Sequence, residues 1–75
     1  MPKYYMIALL CDGKIHRTIR WCDGMIEWTA NIDFSTRFNS LDDAKQRKRE
    51  RELTSACVIE VEEFHVVKRT VNRME

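Results

Sequence analysis

Hydrophobic residues have the spacing of β-strands over the first 32 positions of this chain. Residues 3–11 form a nearly continuous apolar run, which is bounded by Pro2 and Asp12 and is too short for a typical helix. Such a run predicts a strand that is buried on both faces at the centre of a sheet. Residues 14–22 and 25–32 alternate between apolar and polar positions instead, which predicts two strands with one buried face each.

Two Asp-Gly pairs separate these three segments and predict tight hairpin turns. Asp12-Gly13 and Asp23-Gly24 suit the type I′ turn, because both of its central residues adopt positive φ. With two residues in each turn, residue i pairs with residue 25 − i across the first hairpin and with 47 − i across the second. Eleven of the twelve residues on one face are then apolar, and we expect the helix to cover this face. The set is Tyr4, Met6, Ala8, Leu10, Ile15, Arg17, Ile19, Trp21, Ile26, Trp28, Ala30 and Ile32.

Arg17 is the charged member of that face, and three interpretations of it stay open. Its neighbours in this register are Ala8 and Ala30, whose small side chains leave room for the aliphatic stem while the guanidinium reaches water. Alternatively, the charge is placed to bind an anionic partner. The third explanation is that the register itself is wrong.

Residues 41–53 are predicted to form a helix with an unusual charge pattern. Ser40 is a good N-cap, and the acidic residues of the first turn suit the positive end of the helix dipole. Charged residues fill nearly all later positions, so we expect the first two turns to pack on the sheet and the rest to project. Before the helix, residues 33–40 form a polar connection in which Phe34 and Phe38 are expected to close the end of the core.

The strand pattern returns at Ala56, and its alternation slips at Glu62-Glu63 before the apolar pair Val66-Val67. Either a bulge within one long strand or a break into two short strands explains the slip. Residues 69–75 have the composition of a soluble C-terminal tail.

Together these elements predict a single α+β domain over residues 1–75, with the element order β-β-β-α-β. It is an antiparallel three-stranded meander with one helix on the face that holds Trp21 and Trp28. The C-terminal strand is expected beside strand one and parallel to it, in the spatial order 3-2-1-4, with a right-handed crossover.

The sheet face away from the helix is the predicted partner-binding surface. The residues of strand one form a contiguous apolar patch on this face, and such patches mark contact sites. We expect it to bind a host protein or, in a homodimer, a second copy of the chain; in the alternative, the C-terminal segment folds over it. The predicted residues are Tyr5, Ile7, Leu9, His16, Thr18 and Arg20.

The basic surface of the helix is a second candidate site. A run of cationic side chains suits contacts with nucleic-acid phosphates, although the acidic residues of the helix weaken the field and the whole chain has a net charge of only +1. Nucleic-acid binding through this helix or the exposed sheet face is therefore the alternative function. The basic residues are Lys45, Arg47, Lys48, Arg49 and Arg51.

The sequence indicates no enzyme, metal site or cofactor. Its three Cys residues and two His residues, His16 and His65, have none of the short spacings that are typical of zinc sites. Gly-rich phosphate loops and nucleophile motifs are absent from the sequence. We expect a cytoplasmic protein with reduced thiols, because no signal peptide or membrane-spanning run is evident.

Several short motifs resemble those of small phage and prophage orphan proteins. They are the strand hairpin, the pair Trp28-Thr29, the helix start Arg37-Phe38-Asn39-Ser40 followed by Ala44, and the final strand Val58–Glu62. The resemblance implies a phage-encoded accessory protein that binds and inhibits a host factor, as anti-CRISPR proteins do. The three strands before this helix start are also similar to the DNA-binding sheet of integrase arm-binding domains, which implies DNA contact by His16, Thr18, Arg20, Thr29 and Asn31.

Overall fold

Five antiparallel strands and one α-helix make up the described part of the chain, which is residues 3–64 and 68–75 of the computed structural model. The elements are β1 (Lys3–Cys11), β2 (Lys14–Cys22), β3 (Met25–Thr29), a 3-10 helix (Ile32–Phe34), α1 (Leu41–Glu50), β4 (Cys57–Phe64) and β5 (Lys68–Arg73). One sheet contains all five strands in the order β3-β2-β1-β4-β5. The predicted α+β class and the order 3-2-1-4 are confirmed, and a fifth strand extends the sheet beyond β4.

Both Asp-Gly pairs form the predicted turns. Asp12 and Gly13 have φ values of 53° and 77°, and Asp23 and Gly24 have φ values of 52° and 77°, as a type I′ turn requires. The second hairpin, between β2 and β3, follows the predicted register along its whole length. Both Trp side chains therefore lie on the same face of the hairpin, as predicted.

A β-bulge at His16 interrupts the first hairpin, between β1 and β2. Near the turn Leu10 pairs with Ile15, as predicted, but Leu9 then pairs with Arg17. His16 is therefore an extra residue on β2, and every earlier residue of β1 is displaced by one position relative to β2. The predicted register is wrong for this part of β1.

The bulge exchanges the two faces of β1. Ile7 and Leu9, rather than Met6 and Ala8, share the helix-covered face with Ile19. A slip of one residue moves every side chain to the opposite face of a strand. The sequence of β1 does not distinguish the two registers, because apolar residues occupy both of its faces.

Buried hydrophobic residues fill both faces of the sheet, so β1 is the doubly buried central strand that its sequence predicts. We call the two clusters the helix-side core and the far-side core. The buried residues of the helix-side core are Ile7, Ile19, Ala44, Ala56 and Val58. The buried residues of the far-side core are Tyr4, Met6, Ala8, Ile59 and Val61.

The connection between β3 and α1 passes between β1 and β2. We call residues 35–38 the inserted segment. The amide of Thr36 donates to the carbonyl oxygen of Ile19 on β2, at 3.0 Å. On the other side, the backbones of Phe38 and Tyr5 exchange two hydrogen bonds of 2.8 and 2.9 Å. The inserted segment thus occupies the position next to Tyr5 that β2 would otherwise hold.

A buried contact between two hydroxyl groups fixes the start of the inserted segment. Thr18 Oγ1 and Ser35 Oγ are hydrogen-bonded, and the two residues are 1% and 8% exposed. A second side-chain bond follows, from the Trp21 amide to Thr36 Oγ1 at 2.8 Å. The segment is therefore held to β2 by side chains as well as by its backbone.

The inserted segment also explains why β4 runs antiparallel to β1, so that the predicted parallel pairing is wrong. β3 runs in the same direction as β1, because both are antiparallel to β2. The inserted segment runs back against β1, and α1 then returns the chain toward the end at which β3 finished. β4 starts from that end and runs opposite to β1.

The predicted C-terminal tail is also corrected, because most of it is paired. β5 forms an antiparallel ladder with β4, in which Val71 lies opposite Val61, and the amide of Met74 donates to the carbonyl oxygen of Val58 at 2.8 Å. A break into two strands therefore replaces the alternative of one bulged strand. The sequence does not predict β5, because an edge strand tolerates a polar, charged composition and needs no apolar pattern. His65, Val66 and Val67 lie outside the described residues.

The start of α1 agrees with the sequence. Ser40 is the N-cap, and its Oγ accepts a hydrogen bond from the amide of Asp43 at 3.1 Å. Phe38 packs against the helix-side core, as expected for a residue that closes the core. Phe34 does not, since 61% of it is exposed.

The helix ends at Glu50, earlier than the predicted Leu53, in a Schellman motif. The amide of Leu53 donates to the carbonyl of Lys48, and the amide of Glu52 donates to the carbonyl of Arg49, both at 3.1 Å. Glu52 has a φ of 54°, which is the left-handed conformation that this motif requires. The reversal turns Leu53 back against the helix-side core.

Replacing Ser35 by Ala is expected to destabilise the fold, because the buried hydroxyl of Thr18 loses its partner. An unpaired buried polar group costs about 1–3 kcal/mol, and urea denaturation should show this loss as a lower midpoint. The double variant Ser35→Ala/Thr18→Val removes both hydroxyls and should recover part of the loss. A double variant less stable than Ser35→Ala would contradict the role of this contact.

Replacing Glu52 by Gly is expected to raise the free energy of unfolding by about 0.5–1 kcal/mol, because Gly adopts positive φ without steric cost. The same measurement on Arg49→Gly is the matched control. Gly inside the helix should lower stability by about 1 kcal/mol. Destabilisation by Glu52→Gly would show that the left-handed residue is not strained.

Candidate functional site

The residues of the predicted partner-binding face do not form one surface in the structure. Ile7 is fully buried, and Tyr5 and Leu9 are half-buried in the helix-side core, because the bulge turned their side of β1 toward α1. Thr18 lies on the far side of the sheet but is buried against Ser35. This prediction is wrong as a single exposed surface.

The other two residues predicted for that face are exposed but separate. Arg20 lies on the far side of β2, and His16 lies in the bulge near the opposite end of the same strand. Arg20 pairs with Glu27 of β3, with an N–O distance of 4.0 Å, as the predicted register requires. Of the six residues, Arg20 is the one that belongs to the surface described below.

The basic residues of α1 are partly engaged within the molecule. Lys45 and Lys48 place their ammonium groups 3.8 and 3.5 Å from the carboxylate of Glu75. Arg47 lies over the ring of Trp21, at 5.5 Å from its centroid. These contacts neutralise or hold three of the five basic side chains that the sequence singled out.

The remaining two, Arg49 and Arg51, are exposed at the end of the helix. Arg49 lines an open depression of about 500 Å³ next to the Schellman turn. Lys48, Glu52 and Leu53 also line it, so its charge is mixed rather than strongly basic. The helix therefore presents a weaker anion-binding surface than its sequence predicts.

The outer edge of β3 is the most exposed apolar feature of the described residues. Met25 is 70% exposed and Trp28 is 38% exposed, and they lie on opposite faces of this strand. Trp28 is on the helix side, as predicted, but β3 extends beyond the cover that α1 provides. Within residues 3–64 and 68–75, β3 has no strand paired on its outer side.

Phe34 and Arg20 extend this edge on the far side of the sheet. The guanidinium of Arg20 lies 6.0 Å from the ring centroid of Phe34 while it also faces the carboxylate of Glu27. The side chain of Glu27 is 58% exposed. We call this group the β3 edge surface; its members are Arg20, Met25, Glu27, Trp28 and Phe34.

The other edge of the sheet has a different character. The sequence of β5, Lys-Arg-Thr-Val-Asn-Arg, contains three basic residues in six positions. Basic residues on an edge strand disfavour pairing with another strand. β3, with the sequence Met-Ile-Glu-Trp-Thr, has one charged residue and is the less protected edge.

The sequence contains one signal for the β3 edge surface, which is the position of β3 in the predicted strand order. The order 3-2-1-4 places β3 at an edge of the sheet, while α1 packs mainly on β1 and β4. The hydrophobic pattern alone predicts Trp28 on the covered face and Phe34 in the core. The exposure of Phe34 follows from the path of the inserted segment, which has no signature in the sequence.

Candidate sites for chemistry are not evident in the described residues. Cys11 is exposed, Cys22 is half-buried and Cys57 is buried, and all three are free thiols. Across residues 3–64 and 68–75, no three His, Cys, Asp or Glu side chains are grouped to hold a metal ion. No helix within the described residues is long and apolar enough to cross a membrane.

No family model, no curated protein and no solved structure matches this chain.

Proposed function

We propose that this chain is a non-enzymatic interaction protein that binds another protein through the β3 edge surface. The observation that carries the proposal is the concentration of exposed large hydrophobic side chains there. Of the five that the described residues contain, Met25, Trp28 and Phe34 belong to this surface. Aromatic residues and Met are enriched at protein interfaces, and an open edge strand readily pairs with another chain.

The charges of the β3 edge surface fit a protein partner better than a nucleic acid. Arg20 is balanced by Glu27 at 4.0 Å, so this surface has no excess of positive charge for phosphates. On α1, the carboxylate of Glu75 lies against Lys45 and Lys48. Nucleic-acid binding through Arg49 and Arg51 is the alternative, and it depends on the exposed end of that helix.

We further propose that the partner is a host protein and that the chain is a phage-encoded inhibitor of it, of the anti-CRISPR or another anti-defence type. This part of the proposal is supported by the sequence resemblance to phage orphan proteins, and by a small fold with an open edge. Its test is the plating efficiency of a targeted phage on bacteria with an active CRISPR system. Expression of the chain should restore plaques, and plaque counts equal to the empty vector would reject that activity.

The Trp28→Ala variant is expected to lose partner binding, because truncation of a central aromatic residue in an interface typically costs about 2 kcal/mol or more, or roughly 30-fold in affinity. Tagged protein captures its partner from bacterial lysate, and quantitative mass spectrometry compares the variants. Met74→Ala is the matched control, since Met74 is 39% exposed and Trp28 is 38% exposed. Proteins captured by the wild type and by Met74→Ala but not by Trp28→Ala support the proposal.

Equal capture by all three proteins would contradict it. Nuclease treatment and salt separate the nucleic-acid alternative, because binding through two phosphate contacts, one for each Arg, weakens by about tenfold between about 50 and 200 mM salt. Capture that disappears under both treatments, and in Arg49→Ala/Arg51→Ala, would replace the protein-binding proposal with the alternative.

A further inference from the structure

The turn at Asp23-Gly24 determines which backbone groups of β3 face outward. In a two-residue hairpin, the residues that flank the turn form a hydrogen-bonded pair, and such pairs alternate along the ladder. Cys22 and Met25 flank this turn and form the first hydrogen-bonded pair. Every second residue of β3, counted from Met25, therefore directs its N–H and C=O groups toward β2. Ile26 and Trp28 therefore present their N–H and C=O groups to the open side.

A second copy of the chain is a poor occupant for this edge. Antiparallel pairing of two β3 strands uses all four outward groups only when Ile26 lies opposite Trp28 of the other copy. That register places Glu27 directly opposite the second Glu27, in a non-hydrogen-bonded pair with Cα atoms about 4.5 Å apart. Like charges at this position are destabilising. Registers that are shifted along the strand avoid this contact between the two Glu27 residues. In each of them, however, only one of Ile26 and Trp28 pairs with a residue of the other β3 strand.

We propose that the β3 edge adds an extended, antiparallel strand of a partner protein that places a Lys or Arg opposite Glu27. This inference rests on the proposed function and specifies its partner. The charge that disfavours a second copy favours a cation. Arg20 approaches Glu27 from the β2 side at the long distance of 4.0 Å, and the 58% exposure of the Glu27 side chain leaves its carboxylate accessible from the open edge. Backbone hydrogen bonds supply affinity in strand addition, and alternate side chains supply specificity.

The neighbours of that basic residue on the partner strand are apolar. They lie opposite Ile26 and Trp28, whose side chains share the helix side of the sheet. Ile26 is half-buried against the helix-side core, while Trp28 is exposed beside it. The preferred segment thus has the pattern apolar-basic-apolar in an extended conformation.

The first test uses two fluorescent peptides that differ at one position, Thr-Val-Lys-Val-Thr and Thr-Val-Glu-Val-Thr. The Lys peptide should bind about three- to tenfold more tightly, from the difference between an opposite-charge and a like-charge cross-strand pair. Glu27→Lys should reverse the preference, and Glu50→Lys, on the exposed surface of α1, is the control that should not. On binding, the amides of Ile26 and Trp28 should become protected from hydrogen exchange.

Equal affinities for both peptides, or binding without protection of these two amides, would overturn the strand-addition proposal. The proposed function would survive that result if Trp28→Ala still lost a captured partner. Loss of strand addition and of protein binding are therefore separate outcomes.

A second test removes the charge that disfavours self-pairing. Glu27→Gln should dimerise in sedimentation velocity at concentrations at which the wild type and Glu50→Gln are monomers. A wild type that already dimerises, with Trp28→Ala restoring the monomer, would show that a second copy is the occupant. A Glu27→Gln variant that stays monomeric would show that the charge of Glu27 does not prevent two β3 strands from pairing.

Discussion

Separation of β1 from β2 is the constraint on which the rest of this structure depends. The strands pair near their turn and diverge after Ala8 and Thr18, and the inserted segment fills the gap. Its backbone satisfies the carbonyl of Ile19 and both polar groups of Tyr5, which would otherwise be unpaired next to a hydrophobic core. The buried contact between Thr18 and Ser35 fixes the segment in this position. Without the segment, the edge of the central strand would be open.

Three features of the fold follow from this arrangement. The chain crosses from the far side of the sheet, where Ile32 packs, to the helix side, where Phe38 packs. α1 is then the return path, so β4 begins at the end where β3 finished and pairs antiparallel with β1. The bulge at His16 shifts the pairing of β1 and β2 by one residue, and it determines which face of β1 the helix covers. The separation of the two strands thus decides the direction of β4, and the bulge decides the composition of each core.

The sequence predicts the parts of the fold that depend on local conformation. The two Asp-Gly turns, the register between β2 and β3 and the cap at Ser40 each require specific residues at specific positions. The face of β1 does not, because apolar side chains on both of its sides fit either register equally well. β5 escaped prediction for the opposite reason, since its edge position requires few apolar residues. The predicted partner-binding face does not form one exposed surface, because its prediction depended on the register of β1.

The two edges of the sheet show how the candidate site and the fold are connected. β5 is basic in sequence, and residues beyond it bond back to β4, so that this edge carries features that disfavour further pairing. β3 has the opposite composition and keeps Met25 and Trp28 in contact with solvent. Neither side chain contributes its full hydrophobic area to folding, and one charged residue separates them along the strand. The single charge at the centre of this apolar edge is therefore the feature that disfavours pairing with a second copy, and we propose that the same charge selects a basic partner strand.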